Sequence, residues 1–332
     1  MPGVLTLTAP TPKKDTAARP KGPTPPAAGA APKGAWPVML TSDGWSDYAL
    51  LDMGDGEKLE RYGSLTIVRP EPQAMGSRRL GDAVWEAADA VFTGDTDEEG
   101  PGRWKFSKKL PETWPMRYGG IGFVGRFTSF RHVGLFPEQD AHWRWMAEKI
   151  RGAGRPVKVL NLFGYTGLAS LVAAEAGAQV THVDASKKAI GWARENQALS
   201  GLEEKPIRWI CDDATKFVAR EGRRGNTYDG ILLDPPKYGR GPKGEVWQLF
   251  ENLPEMVRLC REILAPDALF LVLTAYSIRA SFLATHELLA EELSGRSGTV
   301  ESGELALIEQ GLDGSGGGRA LSTSMFSRWS GQ

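Results

Sequence analysis

Five apolar runs of strand length, at 157–163, 179–184, 206–211, 228–234 and 268–275, alternate with helix-patterned segments near 166–177, 186–200, 213–221, 246–264 and 278–293. Such alternation buries both faces of its strands in a parallel, doubly wound sheet. Two more strands, 300–310 and 319–329, follow with no helix between them, joined by the Gly-rich stretch 311–318. They predict an antiparallel hairpin closing an otherwise parallel α/β sheet.

The residues at the strand ends carry the chemistry. The first run leads into Asn161-Leu-Phe-Gly-Tyr-Thr-Gly167. Gly164 and Gly167 let the backbone approach a ligand without a Cβ in the way. The following helix points free N–H groups and a positive dipole end at that ligand. The spacing is not the Gly-x-Gly-x-x-Gly of dinucleotide sites. Asp184 ends the second strand, where a carboxylate can accept both hydroxyls of a ribose. Ser186 is the better helix cap there. In Cys211-Asp-Asp-Ala-Thr-Lys216, Asp213 precedes a small residue at a helix start. It is the candidate for an adenine amino group, with helix capping as the competing role.

Asp234-Pro-Pro-Lys-Tyr238 ends the fourth strand, at the edge where doubly wound sheets place their chemistry. Pro235 and Pro236 fix φ and remove two donors, which predicts carbonyls free to face the cleft. Tyr238 offers a flat surface for stacking a base. Lys237, Arg240 and Lys243 form a short basic loop suited to a nucleic-acid backbone. A nucleoside ligand bearing a carboxylate rather than a pyrophosphate fits this set, and S-adenosylmethionine (SAM) is such a ligand. The expected reaction is methyl transfer. The glycine spacing and the terminal hairpin disfavour a nicotinamide dehydrogenase, and the intact Asp234–Tyr238 run disfavours a non-catalytic RNA-binding protein.

Upstream, residues 1–35 are rich in Pro, Ala, Thr and Lys and hold too little apolar surface to offset the entropy of ordering, so a disordered tail is expected. Residues 36–130 read as a small α+β domain. Strands are expected at 48–53 and 58–68 around Gly54-Asp-Gly56, and at 104–106 and 121–127. Leu80, Val84, Ala87, Ala88 and Val91 recur at helical spacing. Pro137 suits the first turn of a helix over 138–150. The remaining 131–332 is the expected SAM-binding domain.

Asn161–Gly167, Asp184, Asp234–Tyr238 and Phe127-Thr-Ser-Phe-Arg-His-Val-Gly-Leu-Phe-Pro-Glu-Gln139 together resemble the Rossmann-like class I methyltransferases related to the 23S rRNA methyltransferase RlmI. Lys58-Leu-Glu-Arg-Tyr-Gly63 and Val68-Arg-Pro-Glu-Pro-Gln73 resemble the small domain that precedes the catalytic domain there. The resemblance runs from Trp36 onward. It implies SAM as donor and RNA, such as rRNA, as acceptor. It also implies cofactor contacts from Phe130, His132 and Gln139 beside those of Asn161, Phe163, Gly164, Tyr165, Thr166, Gly167, Asp184, Ala185, Asp213 and Asp234, with Asp234, Pro235, Lys237 and Tyr238 at the chemistry.

One departure changes the expected chemistry. RlmI-type enzymes methylate cytosine C5 through a cysteine after the fifth strand, because that carbon becomes nucleophilic only when a thiolate has added to the ring. Here the segment is Leu273-Thr-Ala-Tyr-Ser277, without cysteine. Transfer to a nitrogen needs only alignment and a proton acceptor. The family's leading RNA-binding module is also replaced by the Pro/Ala tail. A protein or small-molecule acceptor is therefore the alternative to RNA.

Net charge is −1 over 332 residues, which argues against indiscriminate nucleic-acid coating. The charge is unevenly spread, however. Arg103, Lys105, Lys108, Lys109, Arg117, Arg126 and Arg131 face only Glu112, after an acidic stretch at 82–99. Cys211 and Cys260 give neither a disulfide framework nor metal-ligand spacing and read as buried thiols. With no apolar run near twenty residues and no signal-peptide pattern, a cytoplasmic protein without membrane or metal is expected.

Overall fold

The computed structural model describes residues 33–42, 44–94, 102–276, 278–312, 314 and 318–331. The expected tail at 1–32 and the acidic run at 95–99 lie outside them. The chain begins with β1 (Lys33–Ser42). It then forms β2 (Tyr48–Gly54), β3 (Glu57–Tyr62), β4 (Leu65–Pro70), the short helix α1 (Asp82–Glu86), β5 (Ala90–Gly94) and β6 (Gly102–Phe106), followed by a hairpin of β7 (Thr113–Tyr118) and β8 (Ile121–Arg126). A 3-10 turn (Pro137–Gln139) leads into α2 (Asp140–Gly152), β9 (Lys158–Leu162), α3 (Leu168–Glu175), β10 (Gln179–Asp184), α4 (Lys187–Leu199), β11 (Ile207–Cys211) and α5 (Ala214–Arg223). Next come β12 (Gly230–Leu233), a small hairpin of β13 (Tyr238–Arg240) and β14 (Val246–Gln248), α6 (Leu249–Glu262), β15 (Phe270–Ala275), α7 (Phe282–Glu292), β16 (Thr299–Ile308) and β17 (Ala320–Ser330).

The large sheet has the order β1-β16-β17-β15-β12-β9-β10-β11. Strands β9, β10, β11, β12 and β15 are parallel, while β17 runs antiparallel to both β15 and β16. This is the doubly wound sheet with a closing hairpin that the pattern predicts. The chain reverses its winding between β9 and β12, so ligands are expected above their carboxyl ends. The small sheet has the order β2-β3-β4-β5-β6.

Three expectations in the first 130 residues need correction. Residues 33–42, assigned to the tail and to the start of the small domain, form β1 on the outer edge of the large sheet, paired in parallel with β16. The single strand at 58–68 is two strands, because Gly63 takes φ +62 and turns the chain between β3 and β4. The helix through Val91 stops at Glu86, and Val91 pairs with Val68 as part of β5.

The small sheet does not have a core to itself. One apolar cluster joins Leu50, Ile67 and Phe123 to Met146, Val159 and Leu171. A polar clamp adds to it. Arg319, between β16 and β17, donates to Asp52 at 2.9 Å and to Glu309 at 2.6 Å, and Gln310 N donates to the Leu50 carbonyl. The alternation of β3 explains the rest. Leu59 packs with Val68 and Trp85 beneath the small sheet, while Lys58, Glu60 and Tyr62 share the opposite face.

Candidate active site

The cofactor side is built from three strand ends. At the end of β9 the chain turns sharply, with Phe163 and Tyr165 both at positive φ (57° and 49°). Backbone strain of this kind in bulky residues collects at functional sites. The two glycines of the turn serve packing more than ligand approach. A Cβ on Gly164 would lie 2.4 Å from the His182 ring, and Gly167, at φ +83, backs onto Ala193 and Trp209. The turn's Tyr165 N donates to Asp184 Oδ2 at 2.9 Å, and Ser186 N donates to Oδ1 at 2.7 Å. Each oxygen keeps a lone pair for another donor. Burial raises the Asp184 pKa, against the pull of these two N–H groups. Ser186 caps α4, as expected, by accepting from Ala189 N. Asp213 caps α5 by accepting from Lys216 N at 2.9 Å, and it also lines the cavity, so it holds both of its competing positions.

That cavity, of ≈ 280 Å³, is lined by Phe163, Tyr165, Asp184, Ala185, Asp213 and Asp234, with Trp247 of β14 closing one side. Trp247 lies 4.9 Å from Phe163, ring to ring. Trp247 was hidden inside the expected helix 246–264. A smaller inner cavity reaches Asn161, Thr166 and Gln139 and shares Phe136, Phe163, Tyr165 and Asp234 with the first. Gly167 lines neither. Asn161 donates to Ser170 and Thr166 to the Gly134 carbonyl. The N-terminus of α3 has no side-chain cap. The acceptor carboxylates, the flat aromatic wall and the uncapped helix end fit a nucleoside with an amino-acid tail.

Asp234 stands at the inner end of this groove. Its Oδ2 accepts from Gln139 Nε2 at 3.2 Å, while its buried Oδ1 has no protein partner among the described residues. Burial, reinforced by the nearby Glu138 carboxylate, raises its pKa to about 7. The carbonyls of Pro236 and Lys237 are not open to the cleft. Pro236 O accepts from Trp247 Nε1 at 2.7 Å and Lys237 O from Leu249 N at 3.0 Å, which fastens the β13–β14 hairpin to the strand end. Pro235 is buried at the turn, and Lys237 is exposed.

A second cavity, of ≈ 320 Å³, adjoins the first through His132, Phe136, Pro236 and Tyr276. Its other walls are Tyr238, Phe130, Glu138 and, from the small sheet, Lys58, Arg69 and Glu71. Phe130, expected on the cofactor, faces this second space instead and stacks on His132 at 5.7 Å. His132 touches both cavities. Burial, aided by Arg69 and Arg131, brings its pKa down to about 3, so its Nδ1 meets the Tyr165 hydroxyl, 3.1 Å away, as part of a neutral ring.

The cysteines fall elsewhere. Cys260 is buried, and burial pushes its thiol pKa up. Cys211 is exposed, contrary to expectation, because β11 is an edge strand with one open side. Within the basic stretch, Lys108 pairs with Asp89 and Arg126 with Glu195, whereas Arg103, Lys105 and Lys109 are exposed. Among the described residues no helix is long and apolar enough to cross a membrane.

The strand order and the paired cavities define a class I methyltransferase. A family model for S-adenosylmethionine-dependent methyltransferases matches residues 95–294, and the chain belongs to that family. A crystal structure of a SAM-dependent methyltransferase from Agrobacterium tumefaciens is 60% identical, covers 92% of this chain and 97% of that one, and superposes with a TM-score of 0.89. A second solved chain, from Streptococcus mutans, shares the fold at 16% identity, with a TM-score of 0.64 over 86% of this chain and 76% of that one. Among curated proteins, the ribosomal RNA large subunit methyltransferase K/L of Shewanella baltica is 32% identical over 52% of this chain, and that of Shewanella frigidimarina 30% over 59%. The chain spans only about a quarter of the length of these relatives, 25% and 28% respectively.

Proposed function

We propose that this SAM-dependent methyltransferase acts in the cytoplasm on a nucleobase of ribosomal or other structured RNA, and that the methylated atom is a nitrogen. One observation carries the reading. Asp234 is a carboxylate with a buried, unpartnered oxygen at the inner end of a nucleoside-sized groove, two residues before Pro236, which also lines a second cavity edged by Tyr238. The ribosomal RNA methyltransferases among the relatives support RNA as acceptor.

In this reading Asp184 accepts the ribose hydroxyls of SAM and Asp213 its adenine amino group, with Ala185, Phe163 and Trp247 against the ring. The turn 161–167 and the N-terminus of α3 hold the amino-acid end, with Gln139 and His132 nearby. When bound, SAM supplies an electrophilic methyl group. Tyr238 stacks the acceptor base, Lys237 neutralises a backbone phosphate and Pro235 stiffens the strand end. As the base nitrogen forms its bond to the methyl carbon and the carbon–sulfur bond breaks, Asp234 takes the proton the nitrogen gives up. No thiolate is needed, and neither cysteine lines either cavity.

Incubation with methyl-labelled SAM and ribosomal RNA from cells lacking the gene, followed by nucleoside mapping, tests the proposal. An N-methylated nucleoside is expected. Label confined to protein or small molecules defeats the RNA acceptor, and a covalent RNA–protein adduct defeats the cysteine-free route.

A further inference from the structure

The wall that the small sheet gives the second cavity carries two buried opposite charges. Lys58 is 7% exposed and Glu71 3%. Lys58 Nζ donates to Glu71 Oε2 at 3.1 Å and lies 3.9 Å from Glu60 Oε1. An ammonium has three N–H donors, so this pairing leaves Lys58 with capacity toward the cavity. Its neighbour Arg69 is different. Arg69 spends its guanidinium on Glu60, Tyr62 and the Arg131 carbonyl and so builds the scaffold behind the wall. The Glu60 carboxyl, which burial alone would raise, is held at about 2 by Arg69 and Lys58. Glu138 lines the same cavity, and its carboxylate interacts electrostatically with both Lys58 and Asp234.

Stability alone does not account for such a wall. Two apolar residues of similar size are often as stable as a buried ion pair, or more so, because desolvation cancels much of the attraction. Here the alternation of β3 places Lys58 on the face turned toward the catalytic half, where an apolar side chain would extend the shared core.

We propose that Lys58 and Glu71 recognise the acceptor: they read the hydrogen-bonding edge of a base turned out of its helix into this cavity. Lys58 donates to an acceptor atom of the base, Glu71 accepts from a donor beside it, and Tyr238 covers the ring face. This rests on the RNA reading above and adds that specificity resides in the small sheet. Turning a base out costs unstacking energy, which a polar pocket recovers only for a base whose edge matches it.

The test uses the double variant Lys58→Met with Glu71→Gln, which removes both charges together and leaves no lone buried ion. Thermal melting confirms folding, and calorimetry with SAM reads the cofactor side. On ribosomal RNA from cells lacking the gene, kcat/KM is expected to fall by about 100-fold, with SAM affinity unchanged. Lys58→Arg, which keeps a donor, is expected to recover part of that loss. Full activity on RNA in the folded double variant overturns the inference and leaves the RNA reading standing. A wild-type protein that binds SAM but methylates no RNA defeats the reading itself. If the double variant fails to fold, Glu71→Leu alone is assayed, which removes the acceptor and leaves Lys58 beside Glu60, and unchanged kcat/KM there also overturns the inference.

Discussion

Around the two carboxylates on the cofactor side of the cleft, Asp184 and Asp213, the polar contacts join residues close in sequence. Tyr165 N reaches Asp184 across 19 positions, and Ser186 and Lys216 donate to carboxylates two and three residues before them. On the acceptor side, Lys58, Glu71, Phe130, Glu138, Tyr238, Tyr276 and Thr323 converge from both ends of the chain. The contacts of Asp184 and Asp213 need only a strand end followed by a helix start. The acceptor side exists only once the small sheet has docked, and it meets the first at His132, Phe136, Pro236 and Tyr276.

The sharpest way to break this division is at Asp234, which serves both sides. Asp234→Asn keeps the shape and the bond to Gln139 but cannot take a proton. We expect kcat to fall by about a thousandfold, with SAM affinity nearly unchanged in calorimetry. In the wild type, kcat/KM on RNA should rise with pH through about 7 as the carboxylate ionises, and the variant should lose that limb. Stability runs the opposite way. The folded carboxyl holds its proton up to about 7 while the unfolded one releases it at the ordinary aspartate value of 3.8, so this group's contribution declines as pH rises between them. Denaturant titrations of wild type and variant across that range should differ in slope by this one group, the wild type losing more stability as pH rises.

Tyr238→Ala tests the acceptor side alone. Losing one stacking surface should cost roughly 1–3 kcal/mol, seen as an approximately 10- to 100-fold drop in kcat/KM on RNA. Equal loss of SAM binding would show that the two sides are not separable. Asp184→Ala is the reciprocal test. SAM affinity should drop at least about tenfold while RNA binding in a gel-shift titration stays put. At the small end, Cys211→Ser should leave RNA methylation within about twofold, since its thiol faces the Ala185 carbonyl at 3.6 Å and no cavity. A large loss there would return the chemistry to a thiolate.

The division also marks what was legible in the sequence. The parallel sheet and its closing hairpin were readable, because period and length distinguish strand from helix there. Asp184, Ser186 and Asp213 were readable because caps and strand ends are local. The glycine turn was located correctly but explained incompletely, since the close neighbours of Gly164 and Gly167 come from β10, α4 and β11. Strand β7 escaped notice because Pro115 interrupts it, which a strand with one unpaired edge tolerates. Lys58 and Glu71 stood in the segments that resemble the small domain, with no role of their own. Only tertiary packing buries them, and no local pattern announces it.

Strand β1 has a consequence of its own. Without it, the ten-residue β16 would be the border of the large sheet, with a row of unpaired N–H and C=O groups. A long bare border of that kind invites another molecule to add its own strand. β1 covers it and is itself a poor template. Pro37 falls at the irregularity between Ala35 and Val38, where the ladder is interrupted, and Lys33 lies exposed at one end. A chain shortened to begin at Tyr48 would keep every residue of both cavities, yet it should tend to associate sheet to sheet. A strand that lines neither cavity thus guards the molecule against its own aggregation.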